Sequence, residues 1–337
     1  MRIFAYEGKK SYNRCDAGLC HPAKIVVITH YGWTDEERLI PVFPYLIRMA
    51  IPIFMILSGW THALSFEKKQ IRSFDDAYKV RNWLPAAIRY TLLFLIVILW
   101  FALDPHISFP KGDVLETIRW VIDGTNGKGG YYYPILIQLV FYFPLIYFLI
   151  DRKKEKGLWI ALIINAAYEF LKWAYGMNAD CHRLLIFRYT FLIAVGVFIF
   201  KGGRLKPIKG IILTATGFLF ITMTTYWGYE PKILTFWTST CFLAAMWIVY
   251  GMVLLLQHVK IRFLPLDVMG RASYHIFLVQ MGYYLGYYKL IGEQIPNRIG
   301  HMAVGVLISI MVGILFYYAT EPLLRLISRR IAGRSSR

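Results

Sequence analysis

Apolar runs of about twenty residues recur along the chain, separated by short segments that collect lysine, arginine, glycine and proline. A run of that length crosses a bilayer as a helix, because each residue rises ~1.5 Å and the hydrocarbon core is ~30 Å thick. The pattern predicts spans at about 16–33, 41–64, 84–103, 131–150, 157–175, 184–200, 207–227, 233–256, 268–288 and 301–320. The expected fold class is therefore an all-α membrane protein, a polytopic bundle of about ten transmembrane helices. Residues 1–15 read as a cytoplasmic arm, 16–325 as one transmembrane domain and 326–337 as a basic cytoplasmic tail, with no internal repeat.

Composition agrees with the pattern. The 337 residues are 57% apolar and only 17% charged, against roughly a quarter charged in soluble domains. No apolar core followed by a small-residue cleavage site precedes residue 20, so the first span is expected to act as its own uncleaved signal. Cys15, Cys20, Cys181 and Cys241 form no CxxC pair, and with His21 and His182 they give no zinc-like spacing. No metal and no redox role is expected of them.

The net charge of +18 would suggest nucleic acid if it were evenly spread. With the N-terminus placed inside, however, 24 basic residues fall in cytoplasmic segments and 8 in outer ones. By the positive-inside rule both termini are cytoplasmic, as an even number of spans requires. The excess charge then reports topology and anionic lipid headgroups, and no nucleic-acid partner is expected.

Several polar residues interrupt the apolar runs. Asp16 and His30 bracket the first span and lie fourteen residues apart, close to four helical turns, so with Ala23 they share one face. Pro22 either kinks that helix or sits in its first turn. A histidine in a membrane-grade segment is costly to bury and is there for function or for a specific partner. The second span reads Arg48-Met-Ala-Ile-Pro-Ile-Phe-Met-Ile-Leu-Ser-Gly59, where Pro52 and Ser58-Gly59 allow a bend or the close approach of a neighbour. Arg48 must face protein, water or a snorkelling route. Glu169 and Lys172 are spaced to pair on one helix face, and Arg188 opens the sixth span. Gly129-Gly-Tyr-Tyr-Tyr-Pro134 puts three tyrosines at a membrane boundary, where they are belt residues or the lining of a sugar-binding mouth.

Taken in order, these landmarks resemble the integral-membrane acyltransferase 3 family, which includes O-acetyltransferases of surface polysaccharides. Asp16 to His30 is similar to its first-span pattern, and Arg48 to Gly59 to its Arg-x-x-Val-Pro-x-Phe-Phe-x-x-Ser-Gly. Tyr78-Lys-Val-Arg81 takes the place of its basic motif, and Gly129 to Tyr133 that of its aromatic fourth-span start. Gly270-Arg-Ala-Ser-Tyr-His-Ile-Phe-Leu-Val-Gln280 is similar to its late Gly-Lys-x-Ser-Tyr-x-Ile-Phe-Leu-x-His. The resemblance runs from about 16 to 325. Leu19 stands where the family often has a basic residue, the Arg-x-x-Arg after the second span is not intact, and the late motif ends in Gln280.

The resemblance implies transfer of an acyl group, acetyl above all, from cytoplasmic acyl-CoA to a hydroxyl of a surface polysaccharide or lipid-linked sugar in a bacterial-type cytoplasmic membrane. Such chemistry needs a base of near-neutral pKa, which a desolvated imidazole supplies. His30, with Asp16 on its face, is the catalytic candidate, as base or as covalent acyl carrier. Lys79, Arg81 and, one turn or more inside the third span, Arg89 are the candidates for the CoA phosphates. Arg48, Tyr132, Tyr133 and Tyr274 are the candidates for substrate contact, with Arg48, Ser58 and Tyr274 as donors to a developing oxyanion. Two other classes stay open. A transporter of a small acid or lipid-linked sugar would also bury Arg48, Glu169 and Arg188, although no inverted repeat accompanies them. A non-catalytic relative would keep the fold and lose His30. The partners expected are membrane lipids and a sugar acceptor; the oligomeric state is left unassigned.

Overall fold

The computed structural model describes residues 31, 34, 43–110, 115–117, 120, 130–177, 179–203, 207–226 and 264–334. Apart from short turns and connections they are helical, with no strand among them. In chain order the helices are α1 (Phe43–Lys68), α2 (Phe74–Tyr78), α3 (Val80–Leu103), α4 (Tyr132–Lys153), α5 (Glu155–Tyr175), α6 (Ala179–Leu184), α7 (Thr190–Phe200), α8 (Pro207–Tyr226), α9 (Leu264–Arg271), α10 (Ser273–Gly282), α11 (Tyr288–Gln294) and α12 (Arg298–Arg334). A 3₁₀ turn, Ile186–Tyr189, leads into α7, and a π-helical turn, Tyr283–Tyr287, joins α10 to α11.

Helices occupy the places of eight of the expected spans; the first, 16–33, apart from Tyr31, and the eighth, 233–256, fall outside the described residues. By length and composition, three helical stretches among the described residues can cross a membrane: Val80–Leu103, Tyr132–Lys153 and Arg298–Ser328. Ile186–Phe200 is apolar but shorter. Two boundaries differ from expectation. The last helix runs on past residue 320, through Pro322, to Arg334, so residues 326–334 of the expected tail continue the helix. A proline is tolerated there because a long helix packed in a bundle can lose one backbone bond without breaking. The ninth expected span is divided among α9, α10, the π turn and α11.

Packing follows from which faces are apolar. Helix α7 is apolar all round, and Thr190 through Ile199 are all buried, as a helix without a polar face requires. It lies against α1, α4 and α5. Two glycines bring it to α1: a Cβ on Gly59 would sit 2.2 Å from the Ile193 carbonyl oxygen, and one on Gly196 only 1.9 Å from that of Ile56. The two backbones therefore touch, in the way small residues allow between membrane helices. Helix α3 buries Leu93, Phe94, Val97 and Phe101, a stripe at helical spacing, and turns Leu95, Leu99 and Leu103 outward. An outward face of leucines suits lipid and would be out of place in water.

The helix order gives the bundle two ends. One carries the C-termini of α1, α4 and α7 and the start of α3; the other carries the C-terminus of α3, the start of α4 and the α11–α12 connection.

Candidate active site

Four of the residues singled out from the sequence come together in the interior. Tyr132 enters α4 buried, its ring edge-on to Phe54 of α1 at 4.7 Å and to Phe277 of α10 at 4.9 Å. Tyr274 lies 6.4 Å from the Tyr132 ring and edge-on to Tyr90 of α3 at 5.3 Å, with its hydroxyl donating to the Tyr90 carbonyl at 3.4 Å. Tyr133 stacks flat on Phe94 at 4.0 Å, and its hydroxyl meets Thr91 Oγ1 at 3.2 Å. Arg89, next to Tyr90 on α3, donates to Glu321 of α12, which also takes the Arg325 Nε proton at 2.9 Å. His275 follows Tyr274 and shares a hydrogen bond of 3.0 Å with Thr320 through Nε2. Tyrosine hydroxyls, an imidazole and an arginine–carboxylate pair thus meet where α3, α4, α10 and α12 converge. Inside a membrane such groups mark a functional pathway more often than a structural accident.

Lys79 and Arg81 stand apart from this group, at the end of the bundle where α3 begins. Lys79 pairs with Asp76 at 2.6 Å, and its ammonium holds the Asp76 carboxyl below the usual range. Arg81 is exposed. The pair is placed by α2, which Ser73 starts by accepting the Asp76 N–H at 3.1 Å. Arg89 lies ten residues beyond Lys79, roughly 15 Å along the helix, and is engaged by Glu321. The three cations expected together are therefore split: Lys79 and Arg81 at the start of α3, and Arg89, half-buried, engaged by Glu321 farther along it.

The same end is tied by ions. Lys201 Nζ lies 2.7 Å from Glu67 Oε1 and 2.8 Å from Asp151 Oδ1, and the Tyr147 hydroxyl donates to Glu67 at 2.7 Å. Arg72 closes the group on Glu67 at 3.0 Å. Burial pushes the Glu67 carboxyl up, but the bonds from Lys201 and Tyr147 outweigh it and leave it below its ordinary value. Partial burial likewise opposes the Lys201 charge, and the two carboxylates outweigh it, so the ammonium is held above its ordinary value.

At the opposite end tyrosine hydroxyls and aromatic rings sit among a few charged groups. Tyr31 is buried; its hydroxyl donates to the Arg298 carbonyl at 2.9 Å and lies 3.3 Å from His301 Nδ1. Tyr288 and His301 meet its ring at 5.5 and 5.4 Å. Nearby, Asp104 accepts from Tyr287, from Trp100 Nε1 at 3.0 Å and from the His106 N–H at 2.9 Å. The Tyr287 bond above all keeps that carboxyl below its ordinary value. Glu169 of α5, expected to pair with Lys172 on its own helix, also lies 3.0 Å from His182 Nε2 of α6, whose ring stacks on Tyr168 at 5.2 Å. Burial lowers the His182 pKa, against the raising effect of Glu169. Lys172 is buried on the same helix as Glu169.

His30 and Asp16 lie outside the described residues, and Arg48 falls within α1 with its side chain outside them. Sequence reasoning assigned no role to Glu321, His275 or His301. An ionisable residue inside an apolar helix was signal enough to flag Glu321; its partner Arg89, 232 positions away, was not readable.

The sequence pattern of a family described as "Acyltransferase domain" matches residues 23–318. Comparison with curated proteins and with solved structures finds no match for the chain.

Proposed function

The chain belongs to the acyltransferase domain family, as an integral membrane member of it, and from that premise we propose that it moves an acetyl group from cytoplasmic acetyl-CoA to a hydroxyl of a surface-polysaccharide or lipid-linked sugar. The observation that carries the reading is the separation of Lys79 and Arg81 from Tyr31, the residue after His30, at opposite ends of the helices, with the Tyr132–Tyr274–Arg89 group between them. Both termini and the Lys79 end are taken as cytoplasmic, from the 24-to-8 bias of basic residues. A donor bearing phosphates needs cations on the side where it dissolves, and a sugar acceptor needs rings and hydroxyls on the side where it is displayed.

The chemistry follows. His30, oriented by Asp16, takes the proton of the acceptor hydroxyl. The freed oxygen attacks the thioester carbonyl carbon, and the oxyanion that forms is met by donors among Arg48, Tyr132 and Tyr274. The carbon–sulfur bond then breaks, the ester is complete, and CoA leaves as a thiolate that recovers the proton. Tyr133 and the neighbouring aromatic faces line the acceptor, while Lys79, Arg81 and Arg89 answer the charge of the donor. The purified protein in detergent, given acetyl-CoA, is expected to release free CoA thiol. Uptake of a solute without any thioester consumed would replace this reading with transport.

A further inference from the structure

A second histidine stands beside the residue that follows His30. His301, near the start of α12, is 6% exposed and packs edge-on to Tyr31 and tilted against Tyr288 at 4.6 Å. The Tyr31 hydroxyl owns one proton, and the Arg298 carbonyl 2.9 Å away can only accept, so that proton points to the carbonyl. The 3.3 Å contact between the Tyr31 oxygen and His301 Nδ1 is then donated by the ring. A neutral imidazole carries one N–H, which leaves Nε2 as a bare lone pair. That atom is buried and has no hydrogen-bond partner among the described residues. Buried acceptors are rarely left unsatisfied in native proteins, and one kept so calls for a functional reason. The ring edge packs closely on Gly292, where a Cβ would stand 2.9 Å from Cε1 and 3.6 Å from Nε2 and would push the imidazole out of place.

We propose that His301 Nε2 accepts a hydrogen bond from a hydroxyl of the acceptor, making Tyr31, Tyr288 and His301 the part of the site that holds a polyol or sugar. This rests on the acyl-transfer reading above. Consecutive Cα atoms are ~3.8 Å apart, so the residue that anchors this group is the immediate neighbour of the base that reading assigns. The ring faces of Tyr31 and Tyr288 suit the C–H face of a sugar, and the imidazole supplies the acceptor that orients one of its hydroxyls.

The test measures thiol release from acetyl-CoA by the purified full chain, in water alone and with glycerol or methyl glucoside as probe. In His301→Phe, which keeps the ring and loses both nitrogens, the ratio of transfer to hydrolysis should fall about tenfold or more. His301→Gln, with a carbonyl oxygen of similar reach, should recover most of that ratio. Tyr31→Phe, which keeps the ring but no longer fixes the tautomer, should fall in between. A proportional loss of both reactions in His301→Phe, or no change in their ratio, overturns the proposal and leaves His301 a packing residue. Hydrolysis that neither polyol accelerates in the unaltered protein also overturns it while leaving acyl transfer standing. No thioester consumption at all overturns the acyl-transfer reading, and this one with it.

Discussion

At the Lys201 end, one ammonium sits between Glu67 and Asp151, with Arg72 and a tyrosine hydroxyl on the same carboxylate. At the Tyr31 end, a tyrosine and a histidine share a hydrogen bond within a ring cluster, and the carboxylate of Asp104 is met by hydroxyl, indole and amide donors. The first arrangement spends its carboxylates on its own cations but leaves Arg81 exposed beside it. The second sets the Arg298 guanidinium 5.7 Å over the Tyr31 ring, and among the described residues the His301 Nε2 lone pair is unused. Under the proposed function, the first end meets an anionic donor and the second a hydroxyl-rich acceptor. The interior group of Arg89, Glu321, Tyr132 and Tyr274 lies between them.

The largest effect is expected at His30, the residue that precedes Tyr31. His30→Gln keeps a hydrogen-bonding side chain but cannot take a proton, so transfer should fall by ~10²–10⁴-fold while CoA binding persists. Near-normal turnover in the folded variant would make His30 structural and move the base elsewhere. Next, the double variant Lys79→Ala, Arg81→Ala should weaken CoA binding roughly ten- to a hundredfold in calorimetry, from about 1.5–3 kcal/mol per lost charge-assisted contact with part of Lys79 already held by Asp76. Equal loss of acceptor affinity would erase the contrast between the ends.

A smaller effect belongs to the frame that holds the two ends in register. Gly196→Ala should force α1 from α7 and lower stability by about 1–3 kcal/mol, read as an earlier thermal transition in detergent. The smallest is the pH dependence of the ionic group. Glu67 has a lowered pKa, so its contribution is present above the ordinary 4.5 and is lost as pH falls through the folded value. Lys201 has a raised pKa, so its contribution is present below 10.5 and is lost as pH rises through the folded value. Lys201→Ala should therefore lower the melting temperature between those limits and matter least outside them. A uniform offset across pH would mean that Lys201 stabilises by packing on Tyr147, whose ring centroid is 4.5 Å from its ammonium.

What the sequence could reveal depended on how local the cause was. The extent of α5 was readable because its apolar run stops where Gly176 takes a left-handed conformation and caps the helix onto Lys172 and Trp173. The role of Gly59 as a point of close approach was readable too, though not that α7 would be the neighbour. Helix α12 continues past the expected span end at 320, and the partnership of Glu321 with Arg89 keeps an acid in that continuing helix. Tyr31 and His301 are 270 positions apart, and no periodicity joins them. Tyr132, Tyr133 and Tyr274 fall in two family-like segments that lie far apart in the sequence, and spacing alone does not join them.

The division between the ends is tested most directly by sidedness. Acetyl-CoA does not cross bilayers, so it can be offered to one face of sealed membrane vesicles at a time. With the Lys79 end cytoplasmic, as proposed, inverted vesicles should release CoA thiol, and right-side-out vesicles should do so only after they are opened with detergent. Equal release from sealed vesicles of both orientations, or release only when the Tyr31 end is presented, would contradict the account.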